Sequence, residues 1–115
     1  MKPIERLALG WRTHLIFARF DGEVADRGDH VVVRTPHNPT YWWGNFLLYE
    51  LPPREGDAAS WIAAFEGEIT ALQPASTHLA FGIDGGADFE LPADFAAAGL
   101  VKQRSAIRSP NPAQP

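Results

Sequence analysis

Apolar and polar positions along the chain alternate with two different periods, and the switch between them marks out the elements. His30-Val31-Val32-Val33-Arg34 is a short β-branched run closed by Pro36, and it predicts a strand. Tyr41 to Leu51 is apolar or aromatic on both faces, which predicts a central strand covered on both sides, with Gly44 as a bulge or close backbone approach. Trp61, Ile62, Phe65, Ile69 and Leu72 then recur at helical spacing, so a helix is expected that follows Gly56 or Asp57 and runs to about Leu72, with Glu66 and Glu68 turned outward. His78 to Ile83 reads as a strand. Pro92 opens a last helix through Ala98, Gly99 suits a left-handed C-cap, and Leu100 to Ile107 reads as a final strand.

The amino-terminal part is less regular. Pro3 and Gly10 bracket a short helix, and Thr13 to Phe20 is strand-like. Asp21-Gly22 and Arg27-Gly28-Asp29 are both turn signals; a hairpin closes at one or the other, and if at the second, Asp21-Gly22 marks a bulge. The expected order is α-β-β-β-α-β-α-β, an α+β domain with a mixed sheet over residues 1–108. Residues 109–115, rich in proline, read as a linker or tail.

Composition narrows the classes. The chain has 115 residues, the size of one domain. A net charge of −4 with no basic cluster argues against nucleic acid or anionic lipid as partner. With no cysteine there is no disulfide scaffold, zinc ribbon or thiol nucleophile, and no apolar run approaches a membrane span. A cytoplasmic domain is the expectation.

Few residues offer chemistry. His14, His30, His37 and His78 show no helical pairing, so no metal site is expected. Asp84-Gly85-Gly86-Ala87-Asp88 lacks the bidentate Glu of a calcium loop and reads as a turn. No serine stands in a Gly-x-Ser-x-Gly turn. Two places remain. One is the loop that follows the aromatic strand, where Arg54, Gly56 and the helix start at Ala58 are of the types that hold a pyrophosphate on backbone N–H groups. Against that reading, Pro52 and Pro53 lack donors, and Glu55 and Asp57 bring negative charge. The other is Tyr41, Trp42 and Trp43, where adjacent tryptophans on a strand point to opposite faces: one into the core, the other toward a cleft or partner, or both beneath helices. Asn45, on the Trp43 side, reads either as a backbone reader or as a partner of its neighbour strand.

Gly10-Trp11-Arg12-Thr13, Asp21-Gly22-Glu23-Val24, Val33-Arg34-Thr35-Pro36, Asn38 to Leu48 and Ala98-Gly99-Leu100 resemble the amino-terminal lobe of certain bacterial two-lobe proteins of the GNAT superfamily of N-acetyltransferases. The resemblance runs from about residue 4 to residue 107. It implies acetyl-CoA in a split between two parallel strands, with the pyrophosphate on a loop of pattern Arg/Gln-x-x-Gly-x-Gly/Ala. Here Arg54-Glu55-Gly56-Asp57-Ala58 is one residue short and carries two acids. The family's general-acid Tyr falls at Phe95, which has no hydroxyl to protonate a thiolate. The resemblance therefore implies a lobe that kept the fold and lost the cofactor machinery, with no catalytic residue and no cofactor. Tyr41, Trp42 and Trp43 would meet a second GNAT lobe or a second copy. The competing expectation is an acetyl-CoA-dependent N-acetyltransferase of a small-molecule or protein amine, with Asn45 on the pantetheine arm and Arg54, Gly56 and Ala58 on the pyrophosphate.

Overall fold

A computed structural model describes Trp11, Leu15 and residues 22–110. Six strands form one mixed sheet: β1 (Glu23–Asp26), β2 (His30–Arg34), β3 (Phe46–Tyr49), β4 (Ala80–Ile83), β5 (Val101–Gln103) and β6 (Ala106–Arg108), in the order β1-β2-β3-β4-β6-β5. The β3–β4 pair is parallel, with Leu47 opposite Phe81 and Tyr49 opposite Ile83. The other neighbours are antiparallel. Helices α1 (Ala58–Phe65) and α2 (Ala93–Ala97), among the described residues, complete an α+β fold.

Strand alternation sorts the core into two layers. Val32, Leu47, Tyr49, Phe81, Ile83 and Ile107 face the helices and meet Trp61, Phe65, Ile69 and Phe95. Val31, Val33, Phe46, Leu48 and Ala80 face the other way, against Leu15, Trp11 and Trp43. Both faces of β3 are covered, as its unbroken apolar run requires. Trp11 lies directly on Gly82, where an added Cβ would stand 2.6 Å from the indole ring, so the absence of a side chain there is what admits the tryptophan.

Several expectations change. The first hairpin closes at Arg27-Gly28-Asp29, with Gly28 at φ +96° and its N–H donating to Asp26 Oδ1 at 2.8 Å. Leu15 is helical, one turn on from Trp11, where a strand was expected; the rest of Thr13–Phe20 and the helix expected over Pro3–Gly10 lie outside the described residues. Tyr41–Asn45 is not strand: Trp42–Gly44 is a 3-10 turn, because Asn45 and Thr35 gather the backbone of this segment. The long helix is α1 followed by a wider π-type turn over Glu66–Thr70, which spans Gly67, a poor helix former. That turn brings Glu68 onto Arg27 at 2.8 Å, so Glu68 is half-buried rather than turned outward. Leu100–Ile107 is not one strand but the hairpin β5–β6, turning at Arg104-Ser105. Ser109, expected in the tail, is tied to the sheet by its N–H donating to the Leu79 carbonyl at 2.9 Å. Among the described residues no helix is long and apolar enough to cross a membrane.

Candidate functional site

Parallel strands β3 and β4 end side by side, and the loop from Pro52 to Asp57 carries the chain from β3 into α1. Gly56 adopts φ +101°, a left-handed turn that glycine enters without strain. Its N–H and that of Ala58 point to one spot, and a carboxylate stands there. Asp94 Oδ2 accepts from Gly56 N at 3.0 Å and from Ala58 N at 2.9 Å. Asp94 comes from the first turn of α2, where a carboxylate also favours its own helix dipole. Burial would raise this carboxyl, but the N–H groups of Ala58, Gly56, Asp94 and Phe95 outweigh it and hold the group below its ordinary value.

The loop's own acids are engaged as well. Glu55 Oε1 accepts from Ala93 N at 3.0 Å, capping α2. Asp57 Oδ2 accepts from Arg54 N at 2.9 Å. Two helix starts thus exchange carboxylates, Glu55 onto α2 and Asp94 onto α1. Arg54 is exposed, and its guanidinium has no hydrogen bond or ion pair among the described residues.

The amides that would cradle a pyrophosphate already hold a carboxylate, and three acids surround the place against Arg54 alone. The strands do not part. Asp84 N–H donates to the Tyr49 carbonyl at 2.8 Å just past the paired residues, and a methyl added at Gly85 would stand 3.1 Å from the Glu50 carbonyl oxygen. Phe95, at the position the resemblance gives to a general acid, is fully buried with its ring edge-on to Trp61 at 5.3 Å. Nearby Tyr49 stacks on Trp61 at 3.7 Å, and its phenol is pushed above its ordinary value by burial, then by Asp29 and Asp57.

Asn45 does not join Arg54, Gly56 and Ala58. It precedes β3, at the opposite end of the strand from the loop. The side chain is fully buried. Oδ1 accepts from Thr35 N and Gln73 Nε2, both at 2.8 Å, and Nδ2 donates to the carbonyls of Asn38 at 3.0 Å and Tyr41 at 2.8 Å. Every donor and acceptor of the amide is used inside the protein. His78 Nε2 lies 2.9 Å from the Asn45 carbonyl, so the ring donates there, and burial lowers its pKa. The sequence allowed Asn45 a ligand role; its many partners make it a structural hub.

The two tryptophans diverge from a 3-10 turn and not from a strand. Trp42 stacks on His78 at 5.4 Å, and the Arg108 guanidinium sits 5.6 Å from its ring centre. A cavity of about 300 Å³ opens beside them, reached by Thr40, Thr77 and Ser109. Trp43 turns to the other face, 6.0 Å from Trp11 and 5.5 Å from Phe46. Tyr41 is 53% exposed. It joins Trp11, Trp43 and the Arg104 hairpin around a second cavity of about 400 Å³.

Sequence reasoning missed Asp94 and Arg104. An acid in a helix's first turn normally serves its own helix, so nothing local announces partners 36 and 38 residues away. Arg104 lacks the Gly or Asn that would have flagged a turn. Among the described residues no group of three or more metal-ligating side chains converges. No protein-family model, curated protein or solved structure matches the chain.

Proposed function

We propose that this chain is a GNAT-like binding or scaffolding lobe whose acetyl-CoA site is closed by its own residues. The reading rests on Asp94 Oδ2, which receives the Gly56 and Ala58 N–H groups at 3.0 and 2.9 Å, where a pyrophosphate would need them. The continued pairing of β3 and β4 at Tyr49 and Asp84 supports it, because a pantetheine arm would have to enter between them. The half-exposed aromatic surface at Tyr41 and Trp43 is the part of the molecule suited to a ligand, a second lobe or a second copy.

The acetyltransferase reading has one observation in its favour. The β3–β4 pair is parallel and followed by a loop and helix, the arrangement in which the resembled family holds its cofactor. Calorimetric titration of the intact chain with coenzyme A separates the two. A closed site gives no heat of binding at millimolar ligand. A saturable isotherm with micromolar affinity overturns the closed-site reading and restores the enzyme.

A further inference from the structure

The cavity beside Trp42 is built around one polar group whose orientation the fold has fixed. It holds about 300 Å³, at the small end of the range for ligand pockets, roughly 300–1,000 Å³. Trp42, Ala75 and Pro110 give it an apolar wall. Ser109 also lines it, but its hydroxyl is engaged: Oγ accepts from Leu79 N at 3.0 Å and donates to the Leu79 carbonyl at 3.3 Å.

The remaining polar group of consequence is His78, which is 6% exposed. Trp42 stacks on its ring at 5.4 Å, Phe65 meets it edge-on at 5.5 Å, and Nε2 lies 2.9 Å from the Asn45 carbonyl. A carbonyl only accepts, so the proton sits on Nε2 and Nδ1 carries a lone pair. Burial lowers the pKa of this ring, which keeps it neutral at pH 7. Nδ1 has no hydrogen-bond partner among the described residues, yet it is not sealed in the core, and the cavity is where the ring meets solvent. A ligand donor placed there forms its hydrogen bond in a recess less polar than water, where the bond is worth more.

Two neighbours set the charge of that ligand. The Nδ1 lone pair repels an anion, and the Arg108 guanidinium, 5.6 Å from the Trp42 ring centre, disfavours a cation. Arg108 is held in place by Gln103 Oε1 and the Ser109 carbonyl, at 3.1 Å each. A neutral molecule with one donor and a flat apolar body meets all of these conditions.

We propose that this cavity binds a small neutral aromatic alcohol of the phenol class, its O–H donating to His78 Nδ1 and its ring against the wall of Trp42, Ala75 and Pro110. The ligand lies beside the Trp42–His78 stack and not within it. The site is at the Asn45 end of β3, away from the Pro52–Asp57 loop, and does not depend on whether coenzyme A binds.

The test uses the intact chain at pH 7 and four probes of similar size: phenol, anisole, benzoate and benzylammonium. Nitrogen-15 shifts of the His78 ring report which nitrogen holds the proton and whether the other accepts a hydrogen bond. Phenol should shift Nδ1 and the Trp42 indole N–H saturably and leave Trp61 in place. It should bind about tenfold more tightly than anisole, which matches it in shape but has no donor, and more tightly than either charged probe. Ala75→Leu, at an exposed turn position, should keep the spectrum of the folded chain, fill the cavity and abolish phenol binding. His78→Phe should erase the preference for phenol over anisole. Equal affinities for phenol and anisole, phenol binding unaltered by Ala75→Leu, a proton on Nδ1 in place of Nε2, or no shift of Nδ1 at millimolar phenol would each overturn the proposal.

Discussion

The two ends of β3 solve one problem with different materials. At the start of the strand, Asn45 gathers the amides of Thr35 and Gln73 and the carbonyls of Asn38 and Tyr41 in a fully buried site. Past its end, Asp94 gathers the amides of exposed Gly56 and buried Ala58 where the loop enters α1, with Glu55 returning the favour to Ala93. Both are side-chain acceptors for backbone N–H groups, yet their energetic weight differs. A buried polar group that loses its partner has no water to turn to, whereas an exposed loop does. The first end is therefore a structural staple. The second is a weaker clamp that joins the starts of α1 and α2.

The largest effect is expected at Asn45. Asn45→Ala would leave the buried Thr35 N–H without its partner and take one hydrogen bond each from the Gln73 amide and the Asn38 and Tyr41 carbonyls, at a cost of about 2–4 kcal/mol by urea denaturation. A loss below about 1 kcal/mol, the net worth of a single ordinary hydrogen bond, would contradict the staple.

Gly82→Ala comes next. Its Cβ would stand 2.6 Å from the Trp11 ring, so the indole must move, and overpacking of this kind costs about 1–3 kcal/mol. The Trp11 Nε1–H bond to the Ile83 carbonyl, 3.3 Å, would be lost with it. Indole N–H exchange reads that loss; an unchanged signal would show that Trp11 does not lean on β4.

A smaller, pH-dependent effect belongs to His78. Burial lowers its pKa in the folded protein from the ordinary 6.5, so the unfolded chain binds the proton first. Stability should hold above about pH 6.5 and fall as the pH drops below it. His78→Phe should flatten that slope, at the expense of the bond to the Asn45 carbonyl. A slope equal to wild type would assign the pH dependence elsewhere.

Asp94→Ala should have the smallest effect on stability, below that of Asn45→Ala, because the Gly56 N–H lies in an exposed loop where water can replace the carboxylate. Asp94 lies below its ordinary value in the folded state, so its contribution is present above that value and is lost as the pH falls through the depressed one. A melting-temperature drop as large as that of Asn45→Ala would erase the contrast between the two ends.

How far the sequence could be read follows the same division. Elements set by local pattern were legible: β2 from its valines and Pro36, α1 from its helical stripe, and α2 from Pro92 and Gly99, which sits at φ +86°. Elements set by distant partners were not. Tyr41–Gly44 has strand composition but curls, because Asn45 and Thr35 seize its backbone, and Asn45 is itself held by Gln73, 28 residues on. The β5–β6 hairpin was hidden because arginine occupies a glycine's place. Of the candidate site, the poor donors and surplus acids between Pro52 and Asp57 were visible in the sequence, but the carboxylate that fills the loop was not, because Asp94 arrives through the tertiary fold.

The central claim is that the anion in the loop before α1 is Asp94. The most direct measurement follows the amide N–H signals of Gly56 and Ala58 through an acid titration of the intact chain. The two signals should move together through one inflection below the ordinary carboxylate range, and both inflections should vanish in Asp94→Ala. Amides that ignore the titration, or that keep their inflection without Asp94, would contradict the account.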